Sequence, residues 1–209
     1  MPGSPVELLR VEPLAFILLA IALILAISLH EFAHALAADL QGDRLPRAMG
    51  RVSLNPARHL DPLGTLLIFI AGFGWGKPVE FRRQALSSER FGAAIVALAG
   101  PFMNLLLAIV SAFVLAVADS PPGSAVWVFL ETFIAINVLL AVLNLLPLPP
   151  LDGSRLLTIF LPPSKQHIIF WLDRYGLLIL ILLVLFGGAV LLEPLLVTVN
   201  SWVRSLAGI

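Results

Sequence analysis

The sequence predicts an all-α polytopic membrane protein. It has about four full transmembrane helices, a re-entrant, membrane-associated segment with β character over residues 62–81, and a C-terminal interfacial helix. Three observations carry that prediction. Of 209 residues, 59% are hydrophobic and 12% charged, against about 25% charged in soluble domains. Four long apolar runs can each cross a hydrocarbon core roughly 30 Å thick. Of 13 Lys and Arg, 8 lie in residues 39–90 and 3 in residues 152–174, and four crossings put both stretches on one side, the cytoplasmic one.

Residues 14–38 form the first run, 25 residues long, about 37 Å as a helix. The flank before it holds Glu7, Arg10 and Glu12 rather than a basic cluster, which argues against a cleaved signal peptide. Residues 39–61 are polar, with Gly42, Pro46, Gly50 and Pro56 as breakers. Residues 48–54 are expected as a short strand. Residues 62–73 are apolar, but at 12 residues too short for an ordinary span. A fifth crossing would also destroy the charge asymmetry, so the stretch is expected to enter and leave on one side. A glycine-rich turn follows at residues 72–78, leading into a second expected strand at residues 79–81. Residues 91–118 are the second span, with a kink expected at Gly100-Pro101. Residues 125–146 are the third, broken by Pro147, Pro149 and Pro150. Residues 154–161 are expected as a short interfacial helix stopped by Pro162-Pro163. Residues 175–192 are the last span. Apolar residues at 195, 196, 199, 202, 203 and 206 give the final, interfacial helix. One membrane-embedded domain over residues 1–209 is the natural division, with a core at about 14–156 and a periphery at 157–209.

Zero formal charge points to no nucleic-acid partner, and the absence of cysteine excludes disulfides and thiolate metal sites. The candidate chemistry lies in His30-Glu-Phe-Ala-His34. Histidines four apart share one helix face, so one Zn²⁺ can take both, with Glu31 beside them as general base. Polar groups are costly in a membrane helix, which disfavours an ornamental role. A catalytic zinc takes three protein ligands. The candidates for the third are His59, Asp61, Glu131, Asp152 and His167. The crossing count favours Asp152: it follows the third span at the end where His34 lies, where the prolines unwind the chain. Glu131 falls at the opposite face, and His59 and Asp61 lie in a loop with no evident anchor. His59 and His167 are expected to be interfacial and unbound. Asn104 is the candidate donor to an oxyanion or to substrate backbone, its alternative an interhelical hydrogen bond. Asn144 is expected as such a bond or a helix cap, Asn137 as packing, and Arg82, Arg83 and Arg90 as membrane-side anchors.

The sequence resembles the site-2 protease family of intramembrane zinc metalloproteases. The matching pieces are His30-Glu-Phe-Ala-His34, Ala99-Gly-Pro-Phe-Met-Asn104 and Asn144-Leu-Leu-Pro-Leu-Pro-Pro-Leu-Asp152-Gly153. Ser53-Leu-Asn-Pro, His59-Leu-Asp-Pro-Leu-Gly-Thr65 and Gly74-Trp-Gly-Lys-Pro-Val79 resemble the short bacterial and archaeal members. The resemblance runs from about residue 28 to 156. It implies one zinc per chain held by His30, His34 and Asp152, with Glu31 as the base. It implies substrates that are transmembrane proteins or peptides, cut after partial unwinding and paired as a strand within residues 48–81. It places the chain in the cytoplasmic membrane as a multi-pass protein, the active site toward the cytoplasm. No PDZ-like or nucleotide-sensing domain is expected within these 209 residues. The alternatives are a non-catalytic membrane binding protein of the same fold, for which Glu31 has no use, and a transporter, for which no internal repeat is seen.

Overall fold

The computed structural model describes residues 5–71, 74–160 and 165–209. The expected turn start at residues 72–73 and the stop at Pro162-Pro163 lie outside these. The chain folds as α1 (Pro5–Val11), α2 (Pro13–Leu40), α3 (Leu45–Ala48), α4 (Pro62–Ala71), α5 (Glu89–Val117), α6 (Ala125–Leu145), α7 (Ser154–Phe160), α8 (Gln166–Leu182), a π-helical stretch at Leu183–Leu192, and α9 (Glu193–Ala207). Among the described residues, four helices are long and apolar enough to cross a membrane: Pro13–Leu40, Glu89–Val117, Ala125–Leu145 and His167–Gly188. The protein is a multi-pass membrane protein.

α2 starts on Pro13, whose fixed φ suits a first turn. It runs through an unbroken Leu/Ile/Ala series and ends before Gly42, whose φ of 109° is left-handed. α5 continues through Gly100-Pro101 as one helix, where the sequence suggests a kink. In α6 the Ser124 hydroxyl accepts the Trp127 N–H at 3.3 Å, capping the N-terminus. α2, α5 and α6 form the core of the molecule. Small residues let them approach closely: Ala22 and Ala26 of α2 meet Phe133 and Ile136 of α6, and Ala108 and Ala112 of α5 meet Ile134, Val138 and Val142 of α6.

The last span begins earlier than its apolar run suggests, at residue 167 rather than 175, and buries very few of its residues. α9 behaves otherwise. Val203 is fully buried in the α5/α6 cluster, with Leu196 and Val199 packed against it. Arg204 Nη1 donates to Glu131 Oε1 at 3.0 Å, and Nη2 pairs with Oε2. The expected amphipathic helix is present, and its apolar face is turned to protein.

The expected β content of residues 62–81 is overturned. Among the described residues there is no strand, only an isolated antiparallel bridge between Leu60 and Gly76. Residues 45–48 are helical instead of starting a strand. The physical reason is that side chains take the backbone bonds a neighbouring strand would supply. Arg51 donates to the Arg58 and Lys77 carbonyls, and Asp43 accepts the Arg82 N–H. The bridge still fixes the path. Lys77 N–H bonds His59 O at 2.7 Å, so the flanks of α4 meet at one end. Between them α4 reaches α1 and the N-terminal part of α2, with Phe69 and Phe16 ring centroids 5.7 Å apart.

Candidate metal centre

His30 and His34 stand one turn apart on α2, both buried against α5. Their rings approach edge to face, with centroids 4.6 Å apart. The approach depends on Gly100. A Cβ there would lie 2.6 Å from His30 Nε2, and closer still to His34 Nε2. The glycine of the expected kink is thus the surface on which the two imidazoles rest. His34 Nδ1 donates to the Val96 carbonyl at 2.7 Å. A carbonyl only accepts, so His34 Nε2 keeps its lone pair.

Asp152 reaches the same point from beyond α6. The chain leaves the helix at Leu146 and passes Pro147 and a cis Pro149–Pro150 bond. It turns back with Leu151 N–H on Leu148 O at 2.9 Å and Gly153 N–H on Asn144 O at 2.7 Å. A Cβ at Gly153 would lie 2.5 Å from Leu145 O, so only glycine lets the turn close this tightly. Asn144 bonds its own helix, Nδ2 to Leu140 O at 3.1 Å. Asp152 Oδ2 lies 3.1 Å from His30 Nε2 and 3.2 Å from His34 Nε2, and the two Nε2 atoms are 3.0 Å apart.

Glu31 borders this cluster, largely buried, with Arg51 Nη2 at 3.8 Å from its Oε2. The loop backbone lies on it: a Cβ at Gly76 would be 3.2 Å from Glu31 Oε1 and 2.8 Å from Ile27 Cγ2. Arg51 is itself buried and donates Nη1 to Arg58 O at 2.6 Å and Nη2 to Lys77 O. The guanidinium thus ties both sides of the α4 excursion beside Glu31. Nothing in the sequence separates Arg51 from Arg47 or Arg58, which stay outside.

The other candidates are occupied elsewhere. His59 is fully buried, contrary to the interfacial placement expected of it, with Nε2 on Ser53 O at 2.6 Å. Burial, aided by Arg51, pushes its pKa below the ordinary value against that hydrogen bond. Asp61 accepts the Gly64 N–H at 2.8 Å at the start of α4, Glu131 pairs with Arg204, and His167 is exposed. Arg82 is more than a membrane-side anchor, since it closes on the buried Asp43 at 2.8 Å.

Asn104 needs correction. Its side chain is fully buried. Its amide contacts are His30 Nδ1 at 2.6 Å, Asn137 Oδ1 at 2.8 Å and Ala26 O at 3.3 Å. Both amide hydrogens are committed inside the core, so none is left for an oxyanion. The geometry favours the interhelical alternative, and it draws in Asn137, read from sequence as packing.

The donor set fits zinc. Two imidazoles and a carboxylate suit its ligand chemistry, and a tetrahedron with bonds of about 2.0 Å has edges of about 3.3 Å, close to the observed triangle of 3.0, 3.1 and 3.2 Å. Among the described residues, His30, His34 and Asp152 form the group able to hold a metal ion.

The family model for "Peptidase family M50" matches residues 18–126 and 117–186. The chain is 37% identical over 186 residues to "Putative zinc metalloprotease YwhC" of Bacillus subtilis, covering 85% of each chain. It is 31% identical over 176 residues to "Putative zinc metalloprotease Rip2" of Mycolicibacterium smegmatis, covering 81% of this chain and 67% of that one. No solved structure matches. A match across most of the chain, to relatives named as putative zinc metalloproteases, agrees with three zinc-type ligand groups drawn together from two distant segments of the chain: this chain belongs to peptidase family M50, the site-2 proteases.

Proposed function

We propose that this protein is an intramembrane zinc endopeptidase that cuts peptide bonds within or near transmembrane segments of membrane-protein substrates. His30, His34 and Asp152 hold one zinc, and Glu31 is the general base. The supporting observation is the meeting of two imidazole nitrogens and a carboxylate oxygen within 3.2 Å of one another, with Glu31 beside them.

Bound there, zinc supplies Lewis acidity and lowers the pKa of water toward ~7. Glu31 takes the proton of the attacking water and passes it to the leaving amide nitrogen. Arg51 and the backbone at Gly76 restrict Glu31 to one position. Asp152 and the tautomers of His30 and His34 present three lone pairs to one point. Residues 39–61, 76–88 and 146–160 flank the same end of α2, α5 and α6, and the basic residues there support an orientation with that end toward the cytoplasm. The whole chain acts as one domain.

The test is Glu31→Gln in purified protein with a model transmembrane substrate. The variant is expected to keep its zinc and to lose cleavage by at least ~10²-fold, as for removal of a general base. Undiminished cleavage would remove Glu31 from this role.

A further inference from the structure

We propose that Asn104 and Asn137 are positioning residues that fix the tautomer of His30, and with it the affinity of the site for its metal. The proposal rests on the reading of His30, His34 and Asp152 as ligands.

The argument starts at a backbone carbonyl. Asn137 on α6 places Nδ2 2.8 Å from Phe133 O. A carbonyl oxygen only accepts, so the amide nitrogen must lie on that side. Asn137 Oδ1 therefore faces α5, where it accepts from Asn104 Nδ2 at 2.8 Å. The second hydrogen of that nitrogen points to another carbonyl, Ala26 O of α2, at 3.3 Å. Asn104 Oδ1 is then the atom left for His30, and it lies 2.6 Å from Nδ1. An amide oxygen also only accepts, so His30 Nδ1 carries the hydrogen. In the neutral ring Nε2 must then hold the lone pair, and Nε2 is the atom that meets Asp152 and His34.

Two carbonyls on two different spans thus dictate the protonation of a ring on α2. All three side chains of the relay are buried, so bulk water does not compete. Reversing either amide would set donor against donor or acceptor against acceptor, at a cost of about 1–3 kcal/mol for each buried group left unpaired. His34 reaches the same tautomer in one step through Val96 O. His30 needs two side chains to do so, and only its tautomer can be altered by substituting them.

The test measures zinc affinity of the full-length purified protein by competition with a chromophoric chelator near pH 8, alongside the unfolding temperature with zinc removed. Asn104→Leu is expected to weaken zinc binding about 10–100-fold, the usual effect of losing an outer-shell partner. Asn104→Asp keeps the acceptor for His30 Nδ1 but sets a carboxylate oxygen against Asn137 Oδ1 and Ala26 O, and is expected to fall between wild type and Asn104→Leu. Asn137→Leu, which touches neither zinc nor ligand, is expected to lose roughly three- to tenfold, because Ala26 O still restrains Asn104. Wild-type affinity in both leucine variants would overturn the proposal. Should those variants fail to fold, ¹⁵N spectra of histidine-labelled wild-type protein decide. The signal lost in His30→Ala must show Nδ1–H with zinc removed, and a dominant Nε2–H form would overturn the relay. Absence of zinc binding in wild type, or an unchanged affinity in Asp152→Ala, would instead sink the ligand assignment and the relay with it.

Discussion

The two halves of the site are held by opposite means. The half inside the spans (His30, His34, Gly100 and Asn104) depends on close helix packing and a few fully buried hydrogen bonds. The half outside is irregular chain on either side of α4: Arg51 and Gly76 lie against Glu31, and the stretch is fastened by Arg51, His59 and the Asp43–Arg82 pair. Helices satisfy their own backbone, so their side chains are free to orient ligands. The loops have no ladder, so charged side chains bind their carbonyls and amides. A defect in the first half should therefore be read in metal binding, and one in the second in turnover or stability.

The largest expected effect is in the membrane half. Gly100→Ala should raise helix propensity by about 1 kcal/mol, yet its Cβ would sit 2.5–2.6 Å from the His30 ring. Zinc affinity is expected to fall by about 100-fold or more, as ligand geometry is lost. Retained zinc in this variant, measured on purified protein, would break the packing account. Next comes the loop half. Arg51→Met leaves the Arg58 and Lys77 carbonyls unpaired beside Glu31. About 1–3 kcal/mol is lost for each such group. Cleavage is expected to drop roughly tenfold or more while zinc content holds, with Arg51→Lys intermediate. Loss of zinc from Arg51→Met would erase the distinction between the halves.

The smallest effect concerns Asp43, which is fully buried. Burial raises its pKa, but the backbone and side-chain hydrogen bonds from Arg82 outweigh burial and leave it lowered. Its contribution to stability is therefore present above the unfolded carboxylate pKa of about 3.9. That contribution is lost as pH falls through the lower folded value. Asp43→Asn is expected to unfold a few degrees earlier at pH 7, for a loss of about 1–2 kcal/mol. It should also flatten the decline in unfolding temperature between pH 5 and 3. A decline unchanged in slope would assign it to other carboxylates.

What could be read from the sequence follows the same division. The histidine pair is legible because helix periodicity is local. Asp152 is legible because counting crossings needs only hydropathy and the placement of Lys and Arg. Gly100 is visible as part of a kink, but its contact with the imidazoles belongs to the packing of α5 on α2, which one segment cannot specify. Asn137 and Asn104 stand out as amides in apolar helices, yet their partners lie 33 and 74 residues away along the chain. Arg51 resembles its neighbours in every local respect. Hydrophobicity suggests strands near residues 48–54 and 79–81, but it does not register the side chains that capture the backbone groups there. The periodicity of residues 195–206 foretold α9, but a hydrophobic face looks the same whether lipid or Val138 covers it.

Asp152 meets His34 across 118 residues of chain. A metal held at that point is a reversible cross-link closing a loop more than half the length of the protein. It ties the C-terminal end of the first span to the chain just beyond the third. Its binding free energy adds to the stability of the fold by mass action, about 2.7 kcal/mol when zinc stands at a hundred times its Kd. Stripping the metal should therefore lower the unfolding temperature as well as stop cleavage, and free zinc in the surroundings would govern how long the protein persists.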